Sequence, residues 1–324
     1  MSEAPIVAVT GAAGYIGSRV VADIQERHDD WDVTAIDNFY LGDIRDIGDV
    51  PVEHVDIRNR ERLEDALASA DVVIHLAAIS GVDDCENKPD LAYEVNVQGA
   101  NNVAWLCRKT GAAMAFPFSM AVVGDPDEFP ITTEMARDPL NWYGRTKVLG
   151  ERAVETMAEG AFPAHQFMVS NLYGGHAVDG RRVSKGTVIN FFVNRALAGE
   201  PLTVYEPGDQ ARNFVHVRDV ARAFVRSAET LLAARDAGET GSTEYAVATD
   251  EDPGVTAIAE LVQRICREEG GPEVDIELHE NPRDETLVTE FGVDTSRTYA
   301  DLDWTPQESV EATVRDLIRQ GLAD

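Results

Sequence analysis

Thr10-Gly11-Ala12-Ala13-Gly14-Tyr15-Ile16-Gly17 decides how the rest of the chain is read. Ile6-Val7-Ala8-Val9 before it has strand character, and the stretch from about Tyr15 to Glu26 has helical periodicity, so the glycines occupy a strand-to-helix turn. In that setting Gly11 permits the tight turn, Gly14 lets the backbone approach a pyrophosphate, and Gly17 lets helix and strand pack closely. Tyr15 and Ile16 open a helix whose unpaired N–H groups and partial positive charge suit phosphate oxygens. The turn therefore predicts a dinucleotide site.

Working outward, Asp37 follows Gly17 by about twenty residues, at the end of the second predicted strand, where a carboxylate accepts hydrogen bonds from ribose hydroxyls. It would repel a 2′-phosphate, which favours NAD over NADP. Asn38 adjoins it, and Asp56-Ile57 after the third strand are placed at the adenine border.

The first two-thirds of the chain alternates short β-branched runs with longer amphipathic segments, the pattern of an α/β fold of Rossmann type with a doubly wound parallel sheet. Strands are expected at Ile6 to Thr10, Asp32 to Asp37, Val52 to Val55, Val72 to Leu76, Ala113 to Ser119 and His165 to Val169. Helices are expected at Tyr15 to Glu26, Arg60 to Ala68, Leu91 to Thr110 and Trp142 to Ala158. After Tyr173 the texture changes to Gly-, Arg- and Pro-rich loops. Helices at Val188 to Ala198, Thr256 to Glu268 and Thr313 to Gln320, with strands at Leu202 to Tyr205 and Glu244 to Ala248, belong there to a smaller part. The expected division is 1–172 for the cofactor, rejoined by about 215–240, with 173–214 and 241–324 for the substrate. The stretch from Asp236 to Thr243 reads as a linker.

Tyr143-Gly144-Arg145-Thr146-Lys147 puts a phenol and an ammonium four residues apart, on one helix face. A tyrosine with an ordinary pKa of about 10 is a poor base at neutral pH unless a cation stabilises its phenolate. Lys147 is that cation. Ser119, at the end of the fifth strand, is expected to hold the same hydroxyl.

These motifs together resemble the extended short-chain dehydrogenase/reductase family, in its NAD-dependent nucleotide-sugar epimerase and dehydratase branch, the UDP-glucose 4-epimerase type. The similarity runs through the glycine turn, Asp37-Asn38-Phe39 with Gly42, His75-Leu76-Ala77-Ala78, Tyr93-Glu94-Val95-Asn96 and Tyr143 to Lys147. It continues through Asn171-Leu172-Tyr173-Gly174, Arg212 to Val217 with Asp219, and Asp301 to Pro306. The resemblance implies Tyr143 as base, Lys147 as ribose ligand, Ser119 as hydroxyl partner, and Leu76, Ala77, Ala78 and Asn96 around the cofactor, with Asn96 in a motif that supports the catalytic helix through hydrogen bonding. It also implies Asn171, Arg212 and Arg283 on the substrate diphosphate, where guanidiniums pair bidentately with phosphate oxygens.

Within that branch, dehydratases carry Thr-Asp-Glu where this chain has Ser119-Met120-Ala121, and a decarboxylase carries Glu where Ala121 stands. Losing such groups removes typically 10²–10⁴-fold in rate, so the resemblance implies C4 epimerisation with bound NAD. The rivals are a dehydrogenase that releases NADH and a non-catalytic NAD sensor on the same fold. Val123 before Gly124, Met168 three residues before Asn171, and Pro117-Phe118 depart from the branch close to where the sugar or nicotinamide would sit, which leaves both the sugar and the net reaction open against the UDP-glucose 4-epimerase type.

Composition closes off other classes. The chain has 58 acidic and 28 basic residues for a net charge of −30, a field that repels nucleic acid and anionic membranes. Acidic residues are scattered along the whole chain, and such self-repulsion is tolerable at high salt, where the Debye length falls to ~3 Å at 1 M. A salt-adapted organism is expected. Cys85, Cys107 and Cys266 lack metal-ligand spacing and read as reduced buried thiols, with no metal, and no apolar run is long enough to span a membrane. The expected location is the cytoplasm. The apolar surface of the helices at Leu91 to Thr110 and Trp142 to Ala158 is expected to pair two copies as a homodimer.

Overall fold

The computed structural model describes residues 4–281, 288 and 290–323. The chain begins with β1 (Ile6–Thr10), α1 (Gly17–Arg27), β2 (Asp32–Asp37), β3 (Asp46–Ile47), β4 (Val50–His54), α2 (Arg60–Leu67) and β5 (Val72–His75). Next come α3 (Val82–Asn87), α4 (Pro89–Tyr93), a π-helical turn (Glu94–Gly99), α5 (Ala100–Thr110), β6 (Ala113–Ser119), α6 (Trp142–Ala158) and β7 (Pro163–Val169). β8 (Asn171–Tyr173), β9 (Gly175–Val178), β10 (Arg181–Ser184), α7 (Val188–Leu197) and β11 (Leu202–Tyr205) follow. β12 (Phe214–His216), α8 (Val217–Asp236), β13 (Gly241–Val247), α9 (Val255–Glu268), β14 (Ile276–His279), α10 (Ser296–Leu302) and α11 (Val310–Ala323) complete the order.

Eight strands form one sheet in the order β13-β7-β6-β5-β1-β2-β4-β3, parallel except at the β3–β4 hairpin. The fold is the Rossmann-type α/β arrangement read from the sequence. β1 pairs with β2 on one side, Thr10 opposite Ile36, and with β5 on the other, Thr10 opposite His75. The connections diverge between β1 and β5, and the carboxyl ends there leave a crevice. One core packs α1 and α8 against the sheet through Val20, Ile24, Val220, Phe224 and Leu231. A second lies under α5 and α6, around Leu106, Val103, Phe116 and Val154. A third gathers Phe192, Val204, Val262, Val314 and Ile318 from α7, β11, α9 and α11.

Three local expectations change. β13, read as part of the smaller region, is the edge strand of the large sheet and pairs in register with β7 from Gly241 opposite Pro163 to Val247 opposite Val169. Its buried second half, Tyr245-Ala246-Val247, needs the apolar neighbour that β7 supplies. The stretch from Asp236 to Thr243 is accordingly no linker: Asp236 closes α8, residues 237–240 form a short turn, and Gly241 to Thr243 begin β13. The helix expected from Leu91 to Thr110 is interrupted by the π-helical turn at Glu94–Gly99, with α3 before it. Such turns break regular helix where a side chain must face a particular way. The chain end is tied back onto the sheet: Thr298 Oγ1 donates to Ala246 O (2.6 Å), Trp304 Nε1 to Asp219 O (2.9 Å), and Gln307 N to the Asp219 carboxylate (2.9 Å).

No helix among the described residues is long and apolar enough to cross a membrane, and no group of three His, Cys, Asp or Glu among them could hold a metal ion. Cys85, Cys107 and Cys266 are buried and unpaired with each other.

Candidate functional site

The glycine turn follows β1 and folds down onto the end of β5. Gly11 has φ +71°, and a Cβ there would meet Ala77 N at 2.6 Å. A Cβ on Gly17 would fall 2.1 Å from Gly11 O, and one on Gly42 would fall 2.2 Å from Ala13 O. Bare backbone is therefore compulsory at three points of close approach. The groove is lined by Gly11, Gly14, Asp37, Asn38, Ile57, Leu76, Ala77 and Ala78, all expected from the sequence, and also by Tyr40, Leu41, Arg58, Ile79 and Val95, which were not.

Asp37 is held by the turn it serves. Its Oδ2 accepts from Ala13 N (3.1 Å) and its Oδ1 from Phe39 N (2.7 Å), which leaves the outer lone pairs toward the groove. Burial raises its pKa, partly offset by those backbone donors. Asp56 spends its carboxylate on Arg58 and Asn38, which holds it down to about 2. It orders the rim and does not line the groove. Gly17 and Ile16 lie beneath the groove, Ile16 packed on the core under α1. Tyr15 points away: its hydroxyl lies 2.9 Å from Tyr173 O and 2.8 Å from Gly174 O, to which it donates.

Asn141 accepts from Gly144 N (2.9 Å) and so caps α6, placing Tyr143 in the first turn and Lys147 one turn later. Ser119 ends β6 beside them, its Oγ accepting from Ala121 N (3.2 Å) and lying near enough to the Tyr143 phenol to lower its pKa. Burial pushes the Tyr143 phenol up to about 12, with the neighbouring Ser119 hydroxyl opposing, and brings the Lys147 ammonium down to about 8. Lys147 is 5% exposed, its Nζ 3.4 Å from Pro117 O and 6.0 Å from the Tyr143 ring centre. The Lys185 ammonium lies close enough to Lys147 to help bring it down, while burial remains the main cause for both residues.

Asn96 does not line the groove. Its Oδ1 accepts from Ile79 N (2.8 Å), and its Nδ2 donates to Ile79 O (2.9 Å) and Thr146 Oγ1 (3.1 Å). Thr146 Oγ1 in turn donates to Tyr143 O (2.8 Å). The π-helical turn aims Asn96 at both partners, so it clamps the loop after β5 to the catalytic helix.

Of the residues expected on the substrate, Asn171 is exposed at the start of β8, its Nδ2 donating to Asn213 O (2.9 Å). Arg212 is half-buried two residues before β12, the strand that pairs with β8, and its guanidinium donates to Ala211 O (2.9 Å). Arg283 lies outside the described residues. The sequence reading missed Lys185, which reaches from the loop after β10 to Ser80, donating to Ser80 Oγ (2.6 Å) and Ser80 O (3.3 Å). A lone lysine in a Gly- and Arg-rich loop carries no periodicity or motif that could have placed it.

The family model described as the NAD dependent epimerase/dehydratase family matches residues 7–240. A putative UDP-glucose 4-epimerase of Methanocaldococcus jannaschii is 31% identical over 225 residues, covering 67% of this chain and 72% of the relative. A UDP-N-acetyl-alpha-D-glucosaminuronate decarboxylase of Bacillus cytotoxicus is 30% identical over 231 residues, 67% of this chain and 69% of the relative. Among solved structures, a UDP-glucose-4-epimerase of Stenotrophomonas maltophila with bound NAD and formylated UDP-arabinopyranose superposes with a TM-score of 0.84 at 24% identity, covering 98% of each chain.

Proposed function

This chain belongs to the NAD dependent epimerase/dehydratase family, and on that premise we propose that it epimerises C4 of a nucleotide-diphosphate hexose by transient oxidation, with NAD kept in the groove above β1 and β5. The residues fit the cofactor: backbone without Cβ atoms presses on the groove at Gly11 and Gly42, and the Asp37 carboxylate is anchored with acceptors to spare. Gly11, Gly14, Asp37, Ala77 and Ala78 would hold it. Bound there, NAD would supply the hydride acceptor and a positive charge beside the phenol.

The names of relatives include both epimerases and decarboxylases, so the class follows from them and the reaction has to come from the residues. The observation that carries epimerisation is that Ser119, Tyr143 and Lys147 come together at the end of β6 and the start of α6, while the residues that follow Ser119 carry no carboxylate. Met120 and Ala121 supply neither the acid and base of a dehydratase nor the glutamate of a decarboxylase. Tyr143 takes the proton of the sugar hydroxyl as the carbon is oxidised and returns it as the carbon is reduced on its other face. Lys147 stabilises the phenolate between those events, and Ser119 holds the hydroxyl in line.

We assign the diphosphate to Asn171, Arg212 and Arg283, and two copies to a dimer through α5 and α6, where Trp105 and Leu149 stand exposed. We also assign 1–172 together with α8 and β13 to the cofactor.

Incubation of the NAD-loaded protein in 2 M KCl with UDP-glucose, UDP-galactose or UDP-glucuronic acid, with products read by proton NMR and absorbance at 340 nm, tests the reading. It expects interconverting C4 epimers and no net NADH. Stoichiometric NADH, or a pentose product, overturns it.

A further inference from the structure

Lys185 has no task in the reaction described above, yet its placement is built with care. Asn190 is buried, its Nδ2 donating to Lys185 O (2.9 Å) and to Gly174 O (2.7 Å), while its Oδ1 accepts from Gly174 N (2.9 Å). Gly174 O is also an acceptor for Tyr15, so the backbone of Lys185 is fastened to the turn that opens the cofactor groove. Its side chain then crosses to Ser80, next to the groove-lining Ile79 that Asn96 holds.

The partners of the ammonium are both neutral, a hydroxyl and a carbonyl. The chain has 58 acidic residues, and of its four lysines only Lys109 has a described carboxylate within ion-pair distance, Glu64 at 2.6 Å. Lys88 is exposed and bonded to Tyr40 Oη, and Lys147 belongs to the catalytic group. Half-burying an ammonium against neutral groups is unfavourable unless an anion comes to meet it. The cost is visible in the lowered pKa of Lys185, which burial depresses while the exposed Asp84 pulls it back up from a distance.

The place is as informative as the charge. Lys185 is near enough to Lys147 to depress its pKa, and the Cys85 thiol, 3.6 Å from Ile79 O, feels both cations. Ser80 follows Ile79, which Asn96 ties to Thr146, and Thr146 donates to Tyr143 O, so the Lys185 ammonium is anchored on the same clamp that holds the catalytic helix. In a hexuronate the carboxylate is carried on C5, one bond from the C4 that Tyr143 would deprotonate.

We propose that Lys185 is a specificity-determining residue that pairs with the C5 carboxylate of a nucleotide-diphosphate hexuronate, with Ser80 holding the ammonium in position. The inference rests on the reading of Tyr143 as the group at the sugar C4. It narrows the substrate from hexoses in general to those that carry a carboxylate.

Calorimetric titration of the NAD-loaded protein with UDP-glucuronic acid, UDP-glucose and UDP alone, in wild type, Lys185→Met and Lys185→Arg, tests this without requiring turnover. Wild type should bind the uronate at least tenfold more tightly than UDP-glucose. Lys185→Met should lose about ten- to a hundred-fold on the uronate alone, and Lys185→Arg should keep most of the preference. Equal affinity of wild type for the two sugars overturns the proposal. So does an equal loss on all three ligands in Lys185→Met, the mark of a diphosphate contact or a mere latch between loops, or a melting curve with NAD that shows the variant unfolded while Lys185→Arg behaves as Lys185→Met. Preference for the uronate without any epimerised product would instead leave the carboxylate site standing and remove the C4 reaction.

Discussion

The groove above β1 and the Lys185–Ser80 contact next to it are built by opposite means. The groove is backbone: Gly11, Gly14 and Gly42 bring main chain close, and the one essential side chain, Asp37, is itself held by main-chain donors. The Lys185–Ser80 contact consists of side chains that arrive from distant segments, Lys185 from 105 residues beyond Ser80 and Asn190 holding its backbone by an amide contact. A backbone site constrains residue type at fixed short spacing. A side-chain site requires only that one long residue reach the right point.

The difference can be sharpened by perturbing each side, beginning with the group they share. Tyr143→Phe should lower turnover by about 10²–10⁴-fold, the range for removing a general base, while NAD binding changes little. Unaltered turnover would remove the catalytic assignment.

Lys147 gives the next effect. Its pKa lies at about 8 in the folded protein against an ordinary 10.5, so between those values the unfolded chain binds a proton that the folded chain lacks. The stability contributed by this residue therefore rises with pH across the window and is lowest below pH 8, where a buried charge must be carried. Lys147→Met without NAD should be more stable than wild type at pH 7, by up to roughly 3 kcal/mol, and the gap should close toward pH 10. Urea titrations at pH 7, 8.5 and 10 check it, and a gap that widens with pH contradicts it.

Asp37→Ala should weaken NAD by about ten- to a hundred-fold and NADP much less, since the carboxylate gives hydrogen bonds to the first and repulsion to the second. Equal losses on both would mean that Asp37 only braces Ala13 and Phe39. Smallest and most diffuse is the effect of salt. The melting temperature should rise by several degrees between 0.1 M and 2 M KCl, because 58 acidic residues are screened at once. Equal melting in both would sever the link between charge and habitat.

The same contrast explains what the sequence disclosed. The parallel sheet, the glycine turn, Asp37 and the Tyr143 and Lys147 pair were legible because each rests on local periodicity or on spacing within one element. The support that Asn96 gives the catalytic helix was legible from its motif and is seen in its bond to Thr146, but its place off the groove and its hold on Ile79 were not, because the π-helical turn that aims it leaves no mark in the apolar pattern. The strand at Glu244 to Ala248 was read into the smaller part, whereas β13 joins β7, because strand character does not say which edge of which sheet a strand joins. Lys185 was invisible for a simpler reason: a single lysine acquires meaning only from what lies opposite it after folding.

The account stands on hydride returning to the carbon it left. NAD-loaded protein given UDP-hexuronate or UDP-hexose deuterated at C4 should yield both epimers with the deuterium still at C4 and no change at 340 nm. Deuterium recovered in free NADH, or lost to water, would contradict it.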